Sequence, residues 1–147
     1  MLSYFENRRR ILEEIKEDVE KLYQDYGVDV HMDYVDLDSM SRPGRTQVSV
    51  DVIQYEGEDG SGGIVTNYAN TVRFHIVVPK KDSKAKLWGN SNISKMGKAE
   101  SLWEYYLTES QFRTFDILNV NTMLLIHRYP QQSDVYSFEM NIITNNK

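Results

Sequence analysis

Residues 46–55 read Thr46-Gln47-Val48-Ser49-Val50-Asp51-Val52-Ile53-Gln54-Tyr55. Val48, Val50 and Val52 alternate with Gln47, Ser49 and Asp51, the period of a strand that buries one face and leaves the other polar. The alternation returns from about Thr71 to Val78, where Val72, Phe74, Ile76 and Val78 form the apolar row and Pro79 closes it. It also precedes the quoted stretch: Val28, Val30, Met32 and Tyr34 share one face, Asp29, His31 and Asp33 the other. Ser41-Arg42-Pro43-Gly44 between these strands is a turn signal, with proline presetting one dihedral and glycine accepting the positive one. Glu56 to Gly63 reads as a polar loop with four glycines joining the second strand to the third. Asn67 to Asn70 would extend that third strand beyond the sheet, so the hairpin is expected to project.

Working outward, a helix precedes the strands. Ser3 and Glu6 form a capping box, each side chain satisfying the other's orphan backbone donor. Ile11, Leu12, Ile15, Val19, Leu22, Tyr23 and Tyr26 then recur at three- and four-residue steps, and Gly27 supplies the left-handed stop. Glu13, Glu14, Glu17, Asp18 and Glu20 read as the opposite, solvated face. Arg9 and Arg10 are expected to pair with Glu13 and Glu14 along the helix.

A second helix follows the third strand, capped by Ser91 or Asn92, with Ile93, Met96, Ala99, Leu102, Trp103, Tyr106 and Leu107 as its buried stripe. Phe112, Phe115, Ile117 and Leu118 read as a short irregular link. Two last strands, near Val120–Tyr129 and Val135–Thr144, flank the turn Pro130 to Asp134, a connection short enough to require antiparallel pairing. The expected fold is therefore α+β: a single domain over residues 1–147, with a mostly antiparallel sheet of about five strands, two helices packed on it, and the order α-β-β-β-α-β-β.

Composition narrows the function classes. The 147 residues suit one domain, and 40% hydrophobic content supports a core without metal or disulfide staples. With no cysteine, thiolate metal sites and disulfides are excluded. No apolar run approaches the roughly 18 residues of a membrane span. The N-terminus, Met1-Leu2-Ser3-Tyr4-Phe5 into Arg8-Arg9-Arg10, lacks a signal-peptide core. A soluble, intracellular-type domain is the expectation. Residues 1–60 carry net charge −8 and residues 61–147 net +3 within a total of −5. An acidic chain grips a phosphate backbone poorly, whereas opposite signs in the two halves suit head-to-tail contact between copies.

The chemical motifs fail one by one. Asp29, His31 and Asp33 lie about 7 Å apart in succession on one strand face, and with His75 and His127 they outline a metal-dependent hydrolase or nuclease as the alternative function. Neither His75 nor His127 has a carboxylate two residues away on its own strand. Glu56, Glu58 and Asp59 lack the alternating ligands and distal glutamate of a calcium loop. Gly57, Gly60, Gly62 and Gly63 do not lead into the Gly-Lys-Ser/Thr of a phosphate loop, and no Gly-x-Ser-x-Gly elbow occurs. Asp33, Asp36 and Asp38 lack a nuclease lysine. The remaining feature is a basic loop with Lys80, Lys81, Lys84, Lys86, Lys95 and Lys98 around Trp88, opposed only by Asp82. Tryptophan among lysines suits docking of an acidic protein partner. Glu56, Glu58, Asp59, Lys80, Lys81, Lys84, Lys86 and Trp88 are the candidate protein-interface residues; no catalytic, cofactor or metal residue is assigned.

The layout resembles the tail-terminator (tail-completion) proteins of tailed bacteriophages and related contractile-tail particles. The matching segments are the Ile11–Tyr26 helix, the Pro43 turn into Val48-x-Val50-x-Val52, and Val72-x-Phe74-x-Ile76. Ala99-Glu100-Ser101-Leu102-Trp103 through Phe112 and Ser137-Phe138-Glu139-Met140-Asn141-Ile142 follow, so the likeness spans nearly the whole chain. The glycine-rich and lysine loops fall where such proteins vary. The resemblance implies a non-enzymatic virion protein without cofactor. Its copies would close a ring, expected to be of six, that caps the tail tube and docks the head connector. It would sit in the tail or neck and assemble in the host cytoplasm, without membrane or sequence-specific nucleic-acid binding, though DNA would pass through the ring. Another neck or head-completion component is the nearest alternative.

Overall fold

A computed structural model describes residues 4–24, 28–32, 46–59, 65–79, 91–129 and 133–144. Its elements are α1 (Tyr4–Leu22), β1 (Asp29–Met32), β2 (Gln47–Asp59), β3 (Val65–Pro79), α2 (Ser91–Thr108), β4 (Phe115–Val120), β5 (Leu124–Tyr129) and β6 (Ser133–Thr144). The chain is an α+β domain: among the described residues, two helices and a mostly antiparallel sheet in the order β1-β2-β3-β6-β4, with β5 also on β6. The Ser3 and Gly27 caps and the Pro43 turn lie outside the described residues.

The valine row that opens the sheet does what its period requires. Val48, Val50 and Val52 are opposite Ile76, Phe74 and Val72, and these in turn are opposite Tyr136, Phe138 and Met140. That face is buried under the helices, α1 on β1 and β2, α2 on β3 and β4. Ile11, Ile15 and Val19 of α1 and Ala99, Leu102 and Tyr106 of α2 complete one core. Phe74 sits at its centre, stacked on Phe138 at 4.5 Å and tilted on Tyr106 at 5.2 Å between ring centroids.

Four departures from the periodic reading have physical causes. First, the sheet has six strands among the described residues. Phe115 to Leu118, expected in an irregular link, are part of β4, which pairs with β6, and the expected Val120–Tyr129 strand is broken at 121–123. β4 and β5 lie on the same side of β6, opposite its two ends, and the Asn121 N–H donates to Glu139 O across the break at 2.8 Å. A register shift between Ile117 and Asn119 interrupts the alternation that would mark β4 in the sequence.

Second, the direction of the first strand, which the period leaves open, is parallel to β2, and residues 33–46 allow it because a parallel pair needs a crossover of about a dozen residues. Third, Glu56 to Asp59 are strand rather than loop: Glu56, Gly57, Glu58 and Asp59 are opposite Ala69, Tyr68, Asn67 and Val65. Backbone pairing overrides the glycine-rich composition there. β6 pairing stops at Ala69–Ile143, so Val65–Tyr68 and their β2 partners project as a two-stranded arm; of the expected Asn67–Asn70 extension, Asn67 and Tyr68 lie beyond β6 while Ala69 and Asn70 pair with it. Thr144 braces its base, its hydroxyl accepting from Tyr68 N at 3.0 Å and lying 3.2 Å from Tyr68 O.

The fourth departure concerns helix faces. Leu107, expected in the buried stripe, is 47% exposed, and Glu14, expected on the solvated face of α1, is buried. Glu14 is turned inward because Arg113 and Thr114 bring their N–H groups to it, at 2.9 and 2.8 Å. Arg9 pairs with Glu13 at 3.7 Å as expected, but Arg8 reaches Asp51 at 2.9 Å.

Candidate functional site

The second face of the sheet is polar because the residues between the valines are polar. At one end Gln47, Ser49, Val77 and Val135 are buried; toward the other, Arg73, Thr71, Glu139 and Asn141 are half-buried. Register places Asp51, Arg73 and Glu139 in one row across β2, β3 and β6. Arg73 donates to Glu139 Oε1 from Nη2 at 2.7 Å and from Nε at 3.1 Å. Arg8 of α1 donates to Asp51 at 2.9 Å, beyond Val50, where β1 pairing ends. The result is a ladder of alternating charge, Arg8, Asp51, Arg73, Glu139. In the next row Thr71 donates to Asn141 Oδ1, and Asn141 Nδ2 donates to Asn119 Oδ1, both at 2.8 Å.

His75 borders the ladder, together with Arg73, Leu124 and Glu139 around a depression of about 420 Å³. Burial and the Arg73 charge hold its imidazole below the ordinary range, against the weaker pull of Asp51 and Glu139. The imidazole is therefore neutral at neutral pH. Chemically this face offers hydrogen bonds and a self-compensated charge row. Among the described residues no three His, Asp or Glu side chains are grouped to hold a metal ion.

Of the residues singled out in the sequence, Asp29 and His31 lie on β1 opposite Gln47 and Ser49, and Asp33 lies outside the described residues. His31 Nε2 is 2.7 Å from Gln47 Oε1. Ser49 stands between His31 and His75 in their shared row, and His127 on β5 belongs to the next row, opposite Val135. Glu58 and Asp59 fall on the β2 half of the projecting arm, and Glu56 lies just below its base, opposite Ala69. Lys80, Lys81, Lys84, Lys86 and Trp88 lie outside the described residues.

The periodic reading missed the apolar surface. Ile53 (41%), Leu118 (61%), Leu124 (58%) and Leu125 (41%) are exposed on strands, and Phe5 (77%) and Leu107 (47%) on helices. A signal for the strand residues was present: Val52-Ile53, Ile117-Leu118 and Leu124-Leu125 are adjacent apolar pairs. Successive strand side chains point to opposite faces, and a register shift falls at or beside each of these pairs, so an apolar side chain is left off the core row. These residues fall at the two sides of the sheet. Phe5 and Ile53 belong to α1 and β2 on the β1 side; Leu118, Leu124 and Leu125 belong to the β4–β5 edge.

A scan against protein-family models and a search of curated proteins return no match. No described helix is long and apolar enough to cross a membrane.

Proposed function

We propose that this chain is a structural virion protein that closes into a ring, expected to be hexameric, caps a phage tail tube and presents the docking surface for the head connector. It acts by contact between proteins and carries out no catalysis. The observation that carries the reading is the placement of exposed apolar side chains on opposite sides of one sheet, Phe5 and Ile53 against Leu118, Leu124 and Leu125. A ring is built from heterologous interfaces, which need two different patches per copy, pointing apart. The layout likeness to tail terminators, spanning nearly the whole chain, and the projecting β2–β3 arm, a natural tube- or connector-facing element, support it further. In this reading the protein resides in the tail or neck and assembles in the host cytoplasm.

The test is light scattering with electron microscopy of the purified protein, alone and mixed with tail tubes. Rings, or density capping tube ends, are the expected result. A chain that stays monomeric and ignores tubes across concentration and salt overturns the proposal. Asp29→Ala and His31→Ala should leave assembly intact; stoichiometric divalent-metal binding abolished by those changes would favour the hydrolase alternative instead.

A further inference from the structure

The last turn of α2 and strand β4 enclose a groove of about 460 Å³ lined by Leu107, Phe112, Ile117 and Leu118, with Glu109 and Asp116 among its walls. Leu107 and Leu118 are open to solvent, and Asp116 is exposed and pairs with no cation among the described residues. The groove therefore suits an apolar knob with a cation beside it.

α1 presents that combination. Phe5 is 77% exposed, and Arg9, four residues on, stands on the same helix face. The Arg9 side chain is 71% exposed, and its ion pair to Glu13 is a loose one at 3.7 Å. Within one chain the two features are apart: α1 reaches the segment before β4 through Glu14 and Glu17, two turns or more beyond Phe5, while at the Phe5 end Arg8 meets Asp51 of β2. β2 and β4 are three strand spacings apart, roughly 14 Å. Phe5 is not among the residues lining the groove.

We propose that the Leu107–Leu118 groove is the socket for the first turn of α1 from a second copy of this chain, with Phe5 seated between the leucines and Arg9 meeting Asp116. The inference rests on the ring reading and names its contact. A plug on one side of the sheet and a socket on the other make each interface heterologous, so repetition closes a ring rather than stopping at a pair. The bulged β4 edge, with its register shift at Ile117/Asn119, disfavours strand-to-strand extension and leaves side-chain docking as the mode of contact.

The chain has no cysteine, so introduced thiols report without background. Phe5→Cys and Leu118→Cys are made separately, both at exposed positions. Under mild oxidation an equimolar mixture should give a disulfide-linked dimer at least tenfold faster than either variant alone. Phe5→Asp and Leu118→Asp should each abolish assembly, while their mixture forms dimers, since each retains the half the other lacks. Asp116→Arg should weaken assembly and Arg9→Glu should restore it. Self-crosslinking of Leu118→Cys as fast as the mixture would indicate a groove-to-groove dimer and overturn the proposal. Wild-type rings that persist in both aspartate variants overturn the socket alone. A wild-type chain monomeric with and without tubes overturns the ring reading and the socket together.

Discussion

The carboxylate of Glu14, buried on α1, accepts the N–H of Thr114 at 2.8 Å and its hydroxyl at 2.7 Å, joining residues 100 apart in the chain. The same carboxylate takes the Arg113 N–H at 2.9 Å, while Arg113 pairs with Glu17 at 2.7 Å on the surface. The first helix thus anchors the segment that leads into β4, the strand bordering the proposed socket.

Removing that acceptor leaves partly buried donors without a partner, which costs more than the net worth of the bonds. Glu14→Ala should destabilise the fold by about 3 kcal/mol in urea titration, and Glu14→Gln, which keeps one carbonyl oxygen, by about 1–2 kcal/mol. Thr114→Val removes the hydroxyl and should cost about 1 kcal/mol, with strong non-additivity against Glu14→Ala. Equal losses for Ala and Gln would show that the carboxylate is not the anchor.

Asp18 and His75 should bend the pH dependence of stability in opposite senses. Burial, reinforced by Glu14 and opposed by Arg113, raises Asp18 from 3.8 to about 6. The folded state therefore binds that proton more tightly than the unfolded chain does. The contribution is fully present below about pH 4 and is lost as pH rises through about 6. Asp18→Asn should gain on the wild type between those limits by on the order of 1 kcal/mol, partial exposure screening the rest.

His75 is lowered from 6.5, so the unfolded chain is the better proton acceptor. Its contribution is present above pH 6.5 and is lost as pH falls. His75→Gln should flatten the acid limb of a Tm-against-pH curve. A steeper limb in that variant would contradict the neutral, desolvated imidazole.

Phe74 is fully buried between Phe138 and Tyr106. Phe74→Ala should cost about 3–5 kcal/mol and Phe74→Leu appreciably less, because leucine fills part of the cavity. Thermal or chemical denaturation reads both. A near-neutral alanine variant would mean that the core collapses around the gap.

The Arg73–Glu139 pair is conspicuous in geometry yet 30–40% exposed in its side chains. A double-mutant cycle should return a coupling of about 0.5–1 kcal/mol that declines in high salt. A coupling that ignored salt would place the pair in a drier environment than its exposure indicates.

Much of this architecture was legible before any coordinates. Val48-x-Val50-x-Val52 and Val72-x-Phe74-x-Ile76-x-Val78 announce strands with one buried face, and Ile11, Ile15 and Val19 a helix stripe. These residues are all core. The signal is strong because burial on one face imposes its period on every second or every third and fourth residue. It failed where that period was broken. β4 carries a register shift after Ile117, and its apolar pair Ile117-Leu118 reads as neither strand nor helix. The arm from Gly57 to Asp59 has a strand backbone with a loop-like composition. The candidate site was less legible. The lysine loop that stood out in the sequence lies outside the described residues, whereas Leu107 and Leu118 looked like ordinary core formers and Phe5 was assigned no role.

The amino-acid sequence by itself determined the α+β class, the positions of the main elements and the apolar faces they bury, since local periodicity is enough to encode them. Only the tertiary structure decided the parallel β1–β2 pair, the sixth strand, the inward turn of Glu14 and the separation of two apolar patches to opposite sides of the sheet. Those depend on which residues far apart in the chain meet, such as Glu14 with Thr114 and Asp51 with Arg73. Such long-range pairing is set by the summed packing of the whole domain and leaves no local periodic trace.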